Sequence, residues 1–235
     1  MKRIAYSFFA AILIIAATLN VSAQSEETRQ VSGFNSLASS GPFDVHVKIN
    51  GTESLKISGR PEIISDIETI VEGGKLEIKF KHHHEWNNDG DAGRIEIYVT
   101  AKSLSSLANA GSGSVKVDGV VSGEEVNVIL SGSGDIVSSV KSGNLHANIS
   151  GSGSIHITGS TREAKLQISG SGELMGKELR TGSAAVSIAG SGSAYIIADK
   201  DISAHIVGSG NVIYTGNAVV TNTQTIGSGR VSKGD

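Results

Sequence analysis

Aliphatic and polar residues alternate in short runs that recur about every nineteen residues through the second half of the chain. Each run ends in a Gly-Ser-Gly triplet. Leu130, Ile149, Ile168, Ile188 and Ile206 stand two residues before a triplet, Val128, Ala147, Leu166, Val186 and Ala204 four before, and Val126, Leu145, Ala164, Ala184 and Ile202 six before. Between them stand Asn127, His146, Asn148, Lys165, Gln167, Ser187, Ser203 and His205, with Ile129 and Ala185 as apolar exceptions. A period of two predicts strands with one buried face. Beyond the triplet one mostly polar residue (Ser114, Asp135, Ser154, Glu173, Ser193, Asn211, Arg230) precedes another aliphatic one (Val115, Ile136, Ile155, Leu174, Ala194, Val212, Val231).

The triplets begin at Gly111, Gly132, Gly151, Gly170, Gly190, Gly208 and Gly227, spaced 21, 19, 19, 20, 18 and 19 residues apart. A flexible linker would carry glycine and serine without a period, so these are repeats. Nineteen residues at roughly 3.3 Å each suffice for one closed coil of short strands but not for a helical hairpin. Each triplet then marks the same corner on successive coils. A lone coil buries only four or five aliphatic residues, too few to offset the ordering of its backbone, so several coils must stack and fold together. The expectation is an all-β, parallel β-helix of about seven coils. Glycine at the corner reaches backbone angles closed to other residues, and a serine between two glycines adds no bulk.

The region upstream reads differently. Residues 24–107 hold both prolines, the single tryptophan and eight of the thirty glycines, with alternating runs at Val45 to Ile49, Leu55 to Ile57, Leu76 to Phe80 and Ile95 to Val99. They are expected to form a smaller β cap on the repeat region, 108–235, with a turn of helix near Pro61 to Glu68, because a solenoid end exposes unpaired strand edges. At the other end Thr221-Asn-Thr-Gln-Thr225 replaces the aliphatic pattern with polar residues, which suits a closing coil.

Segments such as Val126-Asn-Val-Ile-Leu-Ser-Gly-Ser-Gly134 and Ala184-Ala-Val-Ser-Ile-Ala-Gly-Ser-Gly192 resemble the bacterial cell-envelope family of the putative auto-transporter adhesin, head GIN domain. Gly41-Pro-Phe-Asp-Val-His-Val-Lys-Ile49, Gly73-Gly-Lys-Leu-Glu-Ile-Lys-Phe80 and Ile95-Glu-Ile-Tyr-Val99 extend the resemblance to nearly all of the chain beyond about Phe34. It implies a right-handed parallel β-helix and an adhesin-like role. Self-export would need a C-terminal barrel of many strands of about 9–11 residues. The chain stops at Asp235 after a short polar repeat, so self-export is not expected.

Lys2 and Arg3 precede an apolar run from Ile4 to Leu19, and Val21-Ser-Ala23 supplies small residues at cleavage positions, so residues 1–23 read as a signal peptide. Its removal leaves 18 basic against 23 acidic residues, a net charge of −5, with no basic face for nucleic acid and no second apolar span for an integral membrane segment. The mature protein is expected in the periplasm or at the cell surface. There is no cysteine, which excludes lipoprotein acylation, disulfides and thiolate chemistry.

Candidate chemistry is sparse. His82, His83 and His84 invite a metal, but neighbours on a strand point to opposite faces and the run leads into a turn sequence, Asn87-Asn-Asp-Gly90. Gly132-Ser-Gly-Asp135 suggests a calcium turn, yet other repeats lack the aspartate. No metal and no cofactor is expected. Asp118, Asp135, Glu173, Asp199 and Asp201 occur singly, without the paired carboxylates of glycoside hydrolysis. Two surfaces remain as binding candidates. Val137, Met175, Tyr195 and Ile213, two residues after each Ser114-equivalent, should stack as an apolar stripe for a partner or for self-association, whereas His146, Lys165, Gln167, Ser187 and His205 form a polar, glycan-facing alternative. The reading is a secreted, non-enzymatic envelope or surface module binding a glycan or protein, with a homo-oligomer compatible. A polysaccharide-active β-helix enzyme and a purely structural periplasmic protein are the alternatives.

Overall fold

A computed structural model describes residues 25–81 and 93–234. Strands β1 (Ser25–Arg29), β2 (Ser36–Ser40), β3 (Asp44–Ile49) and β4 (Ser54–Gly59) precede a short helix, α1 (Pro61–Asp66). Four more follow: β5 (Ile67–Glu72), β6 (Lys75–Phe80), β7 (Glu96–Ala101) and β8 (Ser106–Gly111). The repeats form β9 (Ser114–Gly132), β10 (Asp135–Gly151), β11 (Ser154–Gly170), β12 (Glu173–Gly190) and β13 (Ser193–Gly208), and the chain ends in β14 (Asn211–Thr215), β15 (Val219–Gly227) and β16 (Arg230–Lys233). Each repeat strand leaves one corner, bends, and runs into the next; its two ends are called here the outbound and inbound arms.

Neighbouring repeats pair in parallel along both arms, giving a parallel β-helix of about seven coils. The aliphatic positions two, four and six residues before each triplet face the interior, and none is more than 5% exposed. Ile129 and Ala185, the two exceptions to the alternation, face outward.

The corners show why both glycines are required. The carbonyl of the first glycine accepts two N–H groups from the next coil at Gly111, Gly132, Gly151, Gly170 and Gly190, as Gly132 O does from Ser152 N (3.0 Å) and Gly153 N (3.1 Å). At Gly151 φ is +129°, and a Cβ there would collide with the Gly132 carbonyl oxygen. The second glycine makes room for both backbone and core: a Cβ on Gly192 would collide with the Gly172 carbonyl oxygen and lie 2.6 Å from Cγ2 of Ile168 on the preceding coil. The middle serines bond through backbone N–H, and no side-chain hydrogen bond from them is found among the described residues.

The stack begins before the first triplet. β2 pairs in parallel with β8, and β3 with β9, so Gly41-Pro-Phe43 occupies a corner directly below Gly111-Ser-Gly113. Gly41 N bonds Ala110 O (2.9 Å) and Ser114 N bonds Phe43 O (3.0 Å), the same scheme as at the triplets. Phe43 is fully buried where later corners carry glycine, its ring 4.9 Å from that of Phe80. On its other side this coil pairs with β6 and β7, which come later in the chain. The chain therefore lays down the second level first, returns to the end of the stack, and resumes beyond it. At that end β5 pairs antiparallel with β6, and β4 with β7 and β1, while α1 buries Ile63 and Ile64. Asn109 stands where the next five coils carry Leu130, Ile149, Ile168, Ile188 and Ile206. It is buried, and its amide donates to Gly113 O (2.8 Å).

Asp44 ties the out-of-order coil to its neighbours. Its carboxylate accepts from Ser114 Oγ (2.7 Å) and Arg94 Nε (3.1 Å). Burial raises its pKa, but the bonds from Ser114 and Arg94 outweigh burial and hold it below the ordinary value of 3.8. A carboxylate depressed on folding stabilises the fold above its unfolded pKa, and that contribution is lost as pH falls through the folded value.

Two outcomes follow from the corners and from Asp44. Gly151→Ala should cost about 1–3 kcal/mol in backbone strain alone, a fall of roughly 2–12 °C in thermal midpoint for a chain of this size, whereas Ser152→Ala should stay within about 0.5 kcal/mol. Calorimetry of the two variants checks both. Asp44→Asn should flatten the loss of stability on acidification below about pH 4, read from urea midpoints between pH 5 and pH 3.

Candidate functional site

Parallel stacking converts residues one repeat apart into side-by-side columns, so the outer surface is read across coils. On the inbound arms one column is Asn127, His146, Lys165, Ala185, Ser203 and Asn222, and the next is Ile129, Asn148, Gln167, Ser187, His205 and Gln224. All five polar candidates, His146, Lys165, Gln167, Ser187 and His205, lie in these two columns. Small side chains at Ala185, Ser187 and Ser203 form a floor beside the longer Lys165, Gln167 and His205. The result is a shallow trough with connected depressions. One of about 440 Å³ is bounded by His146, Glu163, Lys165, Ser183, Asp201 and Ser203. A second, of about 280 Å³, is bounded by Lys165, Gln167, Ser187, His205, Asn222 and Gln224.

Carboxylates line one side of the trough. Register places Glu125, Asn144, Glu163, Ser183 and Asp201 in a single column, so acids occupy alternate coils about 9.6 Å apart. The sequence pointed to isolated acids because the aliphatic alternation stops six residues before each triplet, one residue short of Glu125, Glu163 and Asp201, which the same count aligns at seven before. Asp201 accepts a hydrogen bond from Ser183 Oγ (2.7 Å), and Glu125 Oε1 lies 3.8 Å from His146 Nε2. Arg162 and Glu124 form a solvent-exposed pair at 2.8 Å nearby.

The outbound arms carry the apolar stripe. Lys116, Val137, His156, Met175, Tyr195 and Ile213 are in register on successive coils. Val137 is 40% exposed, and Met175, Tyr195 and Ile213 are half-buried. Lys177 places its ammonium 4.8 Å from the centre of the Tyr195 ring, and the two bound, with Ile213 and Thr215, a depression of about 390 Å³.

The stripe continues where no triplet marks it. Beyond Lys116 come His46, then Tyr98, then Lys56. The His46 ring stacks on Tyr98 at 5.1 Å, and Lys56 Nζ lies 5.1 Å from the same ring. Tyr98 donates to Glu96 Oε2 (2.8 Å), which raises the phenol pKa by stabilising the protonated form. Only pairing across β3, β4 and β7 brings these residues together.

His82, His83 and His84 lie outside the described residues, as does the signal segment 1–23. Among the described residues no three histidine, aspartate or glutamate side chains are grouped to hold a metal ion. No described helix is long and apolar enough to cross a membrane.

Comparison with solved structures finds the same fold. A putative adhesin from Bacteroides fragilis NCTC 9343 superposes with a TM-score of 0.81 at 20% identity, covering 90% of this chain and 97% of the other. A putative lipid binding protein from Parabacteroides distasonis ATCC 8503 gives 0.72 at 22% identity over 90% and 97%. A putative adhesin from Parabacteroides merdae ATCC 43184 gives 0.69 at 22% identity over 90% and 96%. Curated protein sequences yield no match. The family profile described as putative auto-transporter adhesin, head GIN domain, matches residues 33–218, from the start of the out-of-order coil to the last full repeat. On that match and on the corners, columns and coil order described above, the chain belongs to the putative auto-transporter adhesin, head GIN domain, family.

Proposed function

We propose that this protein is an exported, non-enzymatic binding module of the bacterial envelope or surface, and that its polar trough holds a linear glycan laid across the coils. In this reading residues 1–23 direct export, 24–107 close one end of the stack, and 108–235 carry the trough. The observation that supports it most is the convergence of His146, Lys165, Gln167, Ser187 and His205 on connected depressions. Amide, imidazole, hydroxyl and ammonium groups recur at strand spacing, about 4.8 Å, and offer donors and acceptors to a ligand that is itself a repeating chain of hydroxyls. The acids on alternate coils stand in an open trough.

The apolar stripe supports a second reading, a protein partner docking on Val137, Met175, Tyr195 and Ile213. Its exposed Val137 and the cation over Tyr195 favour it.

An array of linear bacterial and host polysaccharides separates the readings. Retention should strengthen with oligosaccharide length and fall at least about tenfold in Lys165→Ala combined with Gln167→Ala, without new reducing ends. Release of reducing ends, abolished by Glu163→Gln, would make the protein an enzyme; absence of retention on every probe sinks the glycan reading. Met175→Asp with Tyr195→Asp should leave glycan retention unchanged. If that pair also leaves envelope-protein pull-downs unchanged, the stripe is not a docking face.

A further inference from the structure

The two ends of the stack are finished differently. At one end antiparallel strands and α1 close the coil, and Arg29 donates to the carbonyls of Ile64 (2.9 Å) and Ile67 (2.6 Å) across it. Among the described residues the other end carries no such cover. β15 pairs only with β13 and β16 only with β14. All nine residues of β15 are exposed, Val219 at 67% and Ile226 at 56%, and among the described residues no strand lies beside one edge of its backbone.

Natural sheets guard such edges with charge, proline or strong twist. β16 is guarded by Arg230 and Lys233. β15, Val-Val-Thr-Asn-Thr-Gln-Thr-Ile-Gly, carries no charge and no proline and is rich in β-branched residues. Its unpaired amides and carbonyls call for another extended strand.

We propose that β15 pairs antiparallel with β15 of a second copy of this chain, about a twofold axis at Thr223. The segment Thr221-Asn-Thr-Gln-Thr225 has the same chemistry in both directions. Antiparallel pairing sets Thr221 against Thr225, Asn222 against Gln224 and Thr223 against itself, all neutral pairs of a kind that stabilise sheets. Such a contact is self-complementary and closes after two copies; at the opposite end the edge strands β1 and β5, each paired on one side, carry Glu26, Glu27 and Arg29 and Glu68 and Glu72, charges that guard an edge against a filament. The inward Thr223 and Thr225, in register with Ala204 and Ile206, keep the free end tolerant of water.

A nine-residue strand spans about 30 Å and a packed layer about 10 Å, so the end-on contact covers on the order of 300 Å² per copy. That is well under the roughly 800 Å² of a standard interface. The pair is therefore weak and concentration-dependent, and repulsion between the two copies' Arg230 and Lys233 makes it stronger at high salt. Resting on the glycan reading, one consequence is a trough of double length, because Asn222 and Gln224 end its columns.

The chain has no cysteine, so one introduced thiol reports cleanly. The mature Thr223→Cys chain should form a disulfide-linked dimer under mild oxidation many times faster than Ser150→Cys, which is exposed at mid-stack. Sedimentation equilibrium of the unaltered mature chain should show a monomer–dimer equilibrium that shifts toward dimer as salt rises. Thr223→Lys should abolish it with an unchanged thermal midpoint. Equal crosslinking of the two thiols, an open-ended series of oligomers, or a dimer that survives Thr223→Lys would overturn the proposal. None of these readouts involves a glycan, so failure of the trough reading leaves the test intact.

Discussion

From Gly111 to Gly190 each coil rests on the one before it through a single repeated contact, the carbonyl of a corner glycine accepting two amides from the next corner. At Gly132, as at Gly151, Gly170 and Gly190, the donors are the serine and second glycine one coil on. The contact works only if no side chain stands between the coils, which is why the first glycine is fixed. The second is fixed from two sides, because a Cβ there would meet the carbonyl oxygen of the preceding corner's second glycine and, from Gly172 onward, the isoleucine two residues before the previous triplet. Glycine and isoleucine in this chain are thus two sides of one packing decision.

That contact also creates the surface. With corners locked in register, residues nineteen apart become neighbours, and one substitution per repeat alters one position in a continuous column. A trough arises where small residues on β12 and β13 sit beside long ones on β11. The stripe arises where outward positions on the other arm are apolar or aromatic. Neither surface is local in sequence, and both are as rigid as the ladder beneath them.

The ends are where the repeat logic stops. The first end is closed by chain reversal: β2 and β3 are made early but lie between strands made later and the first triplet coil. Asp44, bonded from Ser114 and Arg94, fastens this inserted level on both sides. The last coil has inward threonines and an uncharged edge, and its chemistry differs from the guarded β16 beside it.

The sequence by itself determined the coil: triplet spacing gave its length, alternation gave its inside and outside, and stacking of Val137, Met175, Tyr195 and Ile213 followed from counting residues past each corner. It determined the polar columns for the same reason, since His146 and Lys165 lie five residues before a triplet and Gln167, Ser187 and His205 three before, and the same count places Glu125, Glu163 and Asp201 together at seven before. Only the tertiary structure decided that Gly41-Pro-Phe43 is another corner and that Tyr98 and His46 prolong the stripe. Those residues carry no triplet to align them. Their neighbours are chosen by pairing between strands far apart in the chain, and a residue pattern reports which face a side chain takes long before it reports which strand lies alongside.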